Sequence, residues 1–169
     1  MHAMIVVSTH HTLQALNRVV SLLRGRDFAV DSLTVTGSER PDVTRLTIAV
    51  DTARTSPERV SACLEKLEEV RSVKQVRPSE VVGRELTLIK LRADAVGGEV
   101  VSALLLSSNA RVIEESGGAA ILELVGRPEE IDLAIGSLAP ASILEIARGG
   151  RLVMARGPQK TCGEFSLRL

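Results

Sequence analysis

The side chains best suited to acid–base or metal chemistry are few and dispersed along this chain. Histidine occurs only as His2, His10 and His11, and no Cys, Asp or Glu stands at metal-ligand spacing from the adjacent pair. That pair reads as loop polarity where a strand hands over to a helix. The neighbours Glu68-Glu69 and Glu114-Glu115 point to different sides of a helix or strand, so neither makes a paired-carboxylate site, and both read as solvated faces. Gly-x-Ser-x-Gly, phosphate-loop and Gly-x-Gly-x-x-Gly patterns do not occur. Cys63 and Cys162 lack the spacing of a metal site or disulfide framework and read as free thiols. What remains is the loop from Ser8 to Gln14, which leads into a helix. A helix start offers unpaired amides and the positive end of a dipole, so a carboxylate sits well there. If two copies set their sheets edge to edge, this loop of one faces the start of the second strand of the other and closes a small amino-acid pocket. An ordinary strand–helix turn is the other reading of the same residues.

The elements that must position that loop follow from hydrophobic spacing. Residues 3–8 are short, apolar and partly β-branched, as in a buried strand. Leu13, Leu16, Val20 and Leu23 mark one face of a helix ending near Arg26, with Thr9 or Thr12 as its cap. Residues 28–36 and 44–51 read as a hairpin around a polar turn that contains Pro41. Ser56-Pro57 signals a helix start, because the serine oxygen caps free amides while proline at the first position loses no hydrogen bond. Val60, Leu64 and Leu67 give that helix its stripe, and residues 72–77 add a strand.

The same order then recurs. Strand 86–91, helix 99–108, strands 111–115 and 119–125 around Gly117-Gly118, helix 129–138 and strand 143–147 follow. Matching Pro57-Glu58-Arg59-Val60 to Pro128-Glu129-Glu130-Ile131 also pairs Leu64 with Ile135, Leu67 with Leu138 and Val73 with Leu144. Two copies of one supersecondary unit are therefore predicted. The fold class is α+β, two tandem ferredoxin-like βαββαβ units, each a four-stranded antiparallel sheet with two helices on one face. The other face of each sheet is left bare and must find a partner. The expected division is a first domain over 1–78, a linker over 79–83, a second domain over 84–157 and an unassigned tail over 158–169.

Composition excludes whole function classes. Among 169 residues, 21 Lys+Arg balance 21 Asp+Glu, and the balance holds on both sides of Glu80, so phosphate-driven nucleic-acid binding has no electrostatic support. With no Trp, no Tyr and only Phe28 and Phe165, base-stacking platforms are missing as well. The excess of arginine over lysine reads as composition bias and solvated faces. The longest apolar run, Ala3 to Val7, cannot span a bilayer, which needs about 20 helical residues. No membrane association and a cytoplasmic location are expected.

Several segments nonetheless resemble one family. Arg18-Val19-Val20-Ser21-Leu22-Leu23, Arg26 to Val35, Pro41 and Thr44-Arg45-Leu46-Thr47-Ile48 are similar to the first half of the regulatory (small) subunits of acetolactate synthase, an ACT domain. Arg84-Glu85-Leu86-Thr87-Leu88-Ile89-Lys90-Leu91, Ile143 to Gly150 and Ala155-Arg156-Gly157 resemble the second half. The resemblance covers roughly residues 3–157.

It implies a non-catalytic chain that dimerises through its ACT domain, binds and activates the catalytic (large) subunit, and serves branched-chain amino-acid biosynthesis. No cofactor is expected in this chain; thiamine diphosphate, Mg and FAD are expected only in the catalytic partner. The effector, a branched-chain amino acid such as valine, would lie between ACT domains, which makes His10, His11, Thr12, Leu13, Gln14, Ala29 and Val30 the candidate binding residues. His11 stands where the family commonly has Asn, Gln14 where it has Gly, and Asp27 and Ala29 replace the Gly and Asn of an Arg-Gly-x-Asn segment. Weak or lost valine feedback is the expectation. The alternative is a free-standing ACT-type amino-acid sensor without a catalytic partner.

Overall fold

The computed structural model describes residues 2–107 and 109–161; Cys162 and most of the expected tail lie outside them. The chain divides into two compact units, one formed by residues up to Val82 together with the segment from Leu152 onward, the other by Gly83–Arg151. Among the described residues no helix is long and apolar enough to cross a membrane.

In the first unit, β1 (His2–His10), α1 (Leu13–Gly25), β2 (Val30–Gly37), β3 (Val43–Asp51), α2 (Pro57–Leu64) and β4 (Val70–Val76) build an antiparallel sheet in the order β2-β3-β1-β4. Alternation along β1 sends Ile5 and Val7 to one face, where they pack with Leu46, Ile48 and Val50 of β3, Val19 and Leu23 of α1, and Val60 and Leu64 of α2. Thr12 caps α1 by accepting from the Ala15 amide at 3.0 Å, and Ser56 caps α2 ahead of Pro57. Both are starts that the sequence marks. The buried stripe of α1 is not the one its large side chains suggest: Ala15, Val19 and Leu23 face the sheet, while Leu13 and Val20 are exposed and Leu16 is half-buried. The helix is thus rotated from the expected face, which sets small Ala15 against the sheet.

The second unit repeats this plan with β5 (Val81–Arg92), a short α3 (Ala93–Val96), α4 (Glu99–Ser107), β6 (Ala110–Ser116), β7 (Ala119–Gly126), α5 (Pro128–Ser137) and β8 (Ile143–Ala155), in the sheet order β6-β7-β5-β8. The first two residues of β5 and the last four of β8 belong to the first unit. Ile89, Leu91, Leu122, Leu124, Val101, Ile131, Ala134 and Leu138 form its core. The internal repeat is realised at Val60 and Ile131, both buried at the same place on their helices, but Leu144, the counterpart of half-buried Val73, is 54 % exposed. Gly117 and Gly118 turn β6 into β7 with φ of 59° and 79°, conformations that favour glycine.

Three expectations need correction. The second face of the first sheet is not bare: Met4, Val6, Ala49 and Val76 are buried there beneath Val81 and Val153. The segment expected to close the second domain and begin a tail instead returns to this face. Arg45 donates to the Val153 carbonyl, the Arg156 amide to the Glu80 carbonyl at 2.8 Å, and the Ala155 amide to Thr161 Oγ1 at 2.7 Å. Thr161 is only 3 % exposed. The residues expected as a linker are one 3₁₀ turn, Pro78–Glu80, and the beginning of β5. By contrast Leu86, on the corresponding face of the second sheet, remains well exposed.

The second unit is clasped by residues from the segments that carry the family resemblance. Glu85, 3 % exposed, receives a hydrogen bond from Arg148 Nε, and Arg148 Nη1 donates to Asp132 at 2.7 Å. The Glu85 carboxylate, with Asp132 adding to it, holds the Arg148 proton more tightly than in a free side chain. Next to it, a β-carbon on Gly149 would sit 3.1 Å from the Leu86 carbonyl oxygen, which explains a glycine at that position. Replacing Arg148 by Met leaves Glu85 buried without its cation. We expect a loss of about 2–3 kcal/mol, below the full cost for a buried pair because Arg148 is itself partly exposed. The double change Glu85→Leu with Arg148→Met should recover most of it; equal losses in urea unfolding would show that the pair carries no such role.

Just after α1, Asp27 takes φ 52°, the left-handed region. This is the position where the resemblance implies a glycine. Asp27→Gly removes about 1–2 kcal/mol of strain and adds about 0.4–1 kcal/mol of unfolded-chain entropy. A net gain of about 0.5–1 kcal/mol is expected, seen as a higher urea midpoint at unchanged slope. A lower midpoint would show that the Asp27 side chain is needed there.

Candidate functional site

The loop between β1 and α1 is held by its own backbone. The His10 amide donates to the Glu69 carbonyl at 3.0 Å, the His11 amide to the Asp42 carbonyl at 3.0 Å, and the Thr12 amide to the His10 carbonyl at 2.9 Å. These bonds carry the loop across the ends of β3 and β4 and aim the start of α1. The amides of Leu13 and Gln14, in the first turn, have no intrahelical acceptor by the geometry of a helix start.

Around this loop the histidines are tied to neighbours. His11 Nδ1 lies 2.7 Å from Thr44 Oγ1, and the Arg71 guanidinium contacts His10 Nδ1 at 3.0 Å. The same Arg71 reaches Asp42 at 3.0 Å, and Arg40 grips both oxygens of Asp42 at 3.0 Å. With Arg40 as the larger influence and Arg71 adding to it, the Asp42 carboxyl is lowered to about 2. Asp42 therefore stays ionised and anchors the β2–β3 turn beside the loop.

His11, Thr12, Leu13, Leu16, Val35 and Thr44 line a shallow cavity of about 250 Å³. Its walls are mostly aliphatic, and two of them are open: Leu13 is 86 % and Val35 42 % exposed. The chemistry on offer is recognition, with apolar contact for a small aliphatic group and helix-start amides for a carboxylate. Among the described residues no group of three or more His, Cys, Asp or Glu is placed to hold a metal ion.

The structure brings together some of the expected residues and separates others. His11, Thr12 and Leu13 share the cavity; His10 sits behind it on Arg71; Gln14 lies exposed on α1 and does not line this space. Ala29 and Val30 lie at the far end of the sheet. Val30 pairs with Val50, whereas His10 pairs with Val43, and seven residues of strand put roughly 23 Å between those two ends. The Ala29 amide already donates to Thr55 Oγ1 at 2.8 Å. Sequence spacing missed Leu16, Val35 and Thr44. The hairpin register supplies the last two, because Gly37 and Thr9 both pair with Thr44 and Val35 pairs with Leu46.

Comparison with known proteins accounts for both units. Residues 84–157 match the model of the small subunit of acetolactate synthase, and residues 11–73 match an ACT domain. The chain is 36 % identical over 145 residues to the acetolactate synthase small subunit of Mycolicibacterium smegmatis, covering 85 % of each chain. It is 36 % identical over 146 residues to a probable acetolactate synthase small subunit of Archaeoglobus fulgidus, covering 86 % of this chain and 91 % of that one. The crystal structure of the acetolactate synthase small subunit from Thermotoga maritima superposes with a TM-score of 0.83 at 29 % identity, covering 93 % of this chain and 98 % of that one. Resemblance, fold and similarity over 85 % or more of the chain thus agree, and the chain belongs to the acetolactate synthase small-subunit family.

Proposed function

We propose that this chain is the non-catalytic regulatory subunit of an acetolactate synthase, binding and activating the catalytic subunit in branched-chain amino-acid biosynthesis, with valine feedback weak or lost. The carrying observation is similarity to small subunits through both units, over 85 % of the chain. Thiamine diphosphate, Mg and FAD belong, in this reading, to the catalytic partner.

The first unit is the dimerising part. Its edge strand β2 carries exposed Val35 beside the cavity, and an antiparallel pairing of β2 with its copy would bring the start of one strand near the end of the other. Only in that way would Ala29 and Val30 of one protomer approach His11, Thr12 and Leu13 of the next. The residues that meet there explain the loss of feedback. The His11 ring is engaged with Thr44, and Ala29 has no side-chain amide to give. A missing polar partner in a closed site costs about 1–3 kcal/mol, which is one to two decades of affinity.

Adding the chain to its catalytic subunit should raise the rate of pyruvate condensation by about 5–150-fold, the range of a coupling of 1–3 kcal/mol. Valine should leave that rate unchanged across the titration. Failure to co-purify with a thiamine-diphosphate enzyme, together with no rate change, would favour a free-standing sensor. In the triple variant His11→Asn, Gln14→Gly, Ala29→Asn, valine inhibition should appear, at concentrations one decade or more below the highest that leaves the parent chain unaffected. An unresponsive triple variant would place the cause of the loss elsewhere.

A further inference from the structure

A second cleft lies in the first unit on the opposite face of the same sheet. Consecutive residues separate the two spaces: Thr44 lines the cavity beside α1, and Arg45 lines this one. Its volume is about 300 Å³, the small end of the range for ligand sites. Ser8, Val43 and Arg45 form the floor, Ser38 and Glu39 the rim, and the segment Met154–Thr161 the roof.

Three charged groups of mixed sign surround this small space. Arg45, from the floor, donates to the Val153 carbonyl, so its guanidinium is fixed where floor meets roof. Lys160 stands on the roof, where its backbone carbonyl accepts from the Lys74 ammonium at 3.3 Å. Glu39, on the rim, accepts from Ser38 Oγ at 2.8 Å. Its carboxyl lies below the usual range, through a backbone hydrogen bond and Ser38 first, then the positive charges of Lys160 and Arg45. Glu39 thus feels both cations that line the cleft with it. Buried Val43, with Met154 and Ala155 opposite, gives an aliphatic wall.

Two cations, one carboxylate and an apolar wall match a small zwitterion better than a simple anion, for which Glu39 would be repulsive. We propose that this cleft is a binding site for a small aliphatic α-amino acid, its carboxylate on Arg45 and Lys160, its ammonium on Glu39 and its side chain against Val43 and Met154. The site is separate from the loop cavity, and its lining among the described residues comes from one protomer. A ligand there ties the roof segment to the sheet.

Calorimetry on the full chain with L-valine and L-alanine tests this, with 3-methylbutanoate, which lacks the ammonium of valine, and isobutylamine, which lacks its carboxylate. Valine or alanine should bind, and each truncated analogue should bind about tenfold more weakly or worse, as expected for loss of a charge-assisted contact. Lys160→Met and Glu39→Gln alter exposed side chains and should weaken valine by a similar factor, whereas His11→Asn should not. Tryptic cleavage after Arg156 and Lys160 should slow with valine present. Absence of binding by both amino acids overturns the proposal. So does binding that His11→Asn abolishes and the Lys160 and Glu39 variants leave unchanged. Neither outcome bears on whether the chain activates a catalytic subunit, which is read from the rate of the complex.

Discussion

A sheet with helices on one side still has a second side, and in the first unit that side also carries apolar side chains. Along β1, Ile5 and Val7 meet the helices while Met4 and Val6 meet Val81 and Val153. Both sets are buried, and at roughly 25 cal/mol per Å² of apolar surface neither can be left in water without loss. The return of the chain from Leu152 answers this constraint. It closes the second face with a short strand end, fixes it through Arg45, and in doing so encloses the cleft above Ser8.

Much of this architecture was legible in the sequence because the relevant signals are local. Ser56-Pro57 and Pro128 mark helix starts by capping chemistry, Gly117-Gly118 marks a tight turn by its need for positive φ, and the repeat follows from apolar spacing alone. What local signals cannot carry is distance along the chain. The burial of Thr161, the pairing of Glu85 with Arg148 across 63 residues, and the covering of Val6 by Val153 depend on how the chain comes back on itself. The stripe on α1 failed for a different reason. Hydrophobicity favours Leu13 and Val20, whereas close approach to a sheet favours Ala15, and the packing decided it.

For the loop between β1 and α1, the sequence marks the strand–helix junction but cannot set its geometry. His11, Thr12 and Leu13 share one cavity because β1 ends beside β3 at Thr44, a consequence of register. Ala29 and Val30 belong to the other end of the same hairpin. A strand pair fixes both facts at once. His11 and Ala29 therefore stand at opposite ends of one sheet.

The arrangement of β8 has a temporal consequence. A ribosome releases the first eighty residues well before it has made Val153, and nascent domains ordinarily fold in that order. Here the α1–α2 side of the early sheet can condense at once, while its reverse, with Met4, Val6, Ala49 and Val76, waits for Val153 to be made. The unit that is begun first is completed only after the second has been made, which leaves its apolar reverse face uncovered while Gly83–Arg151 is synthesised.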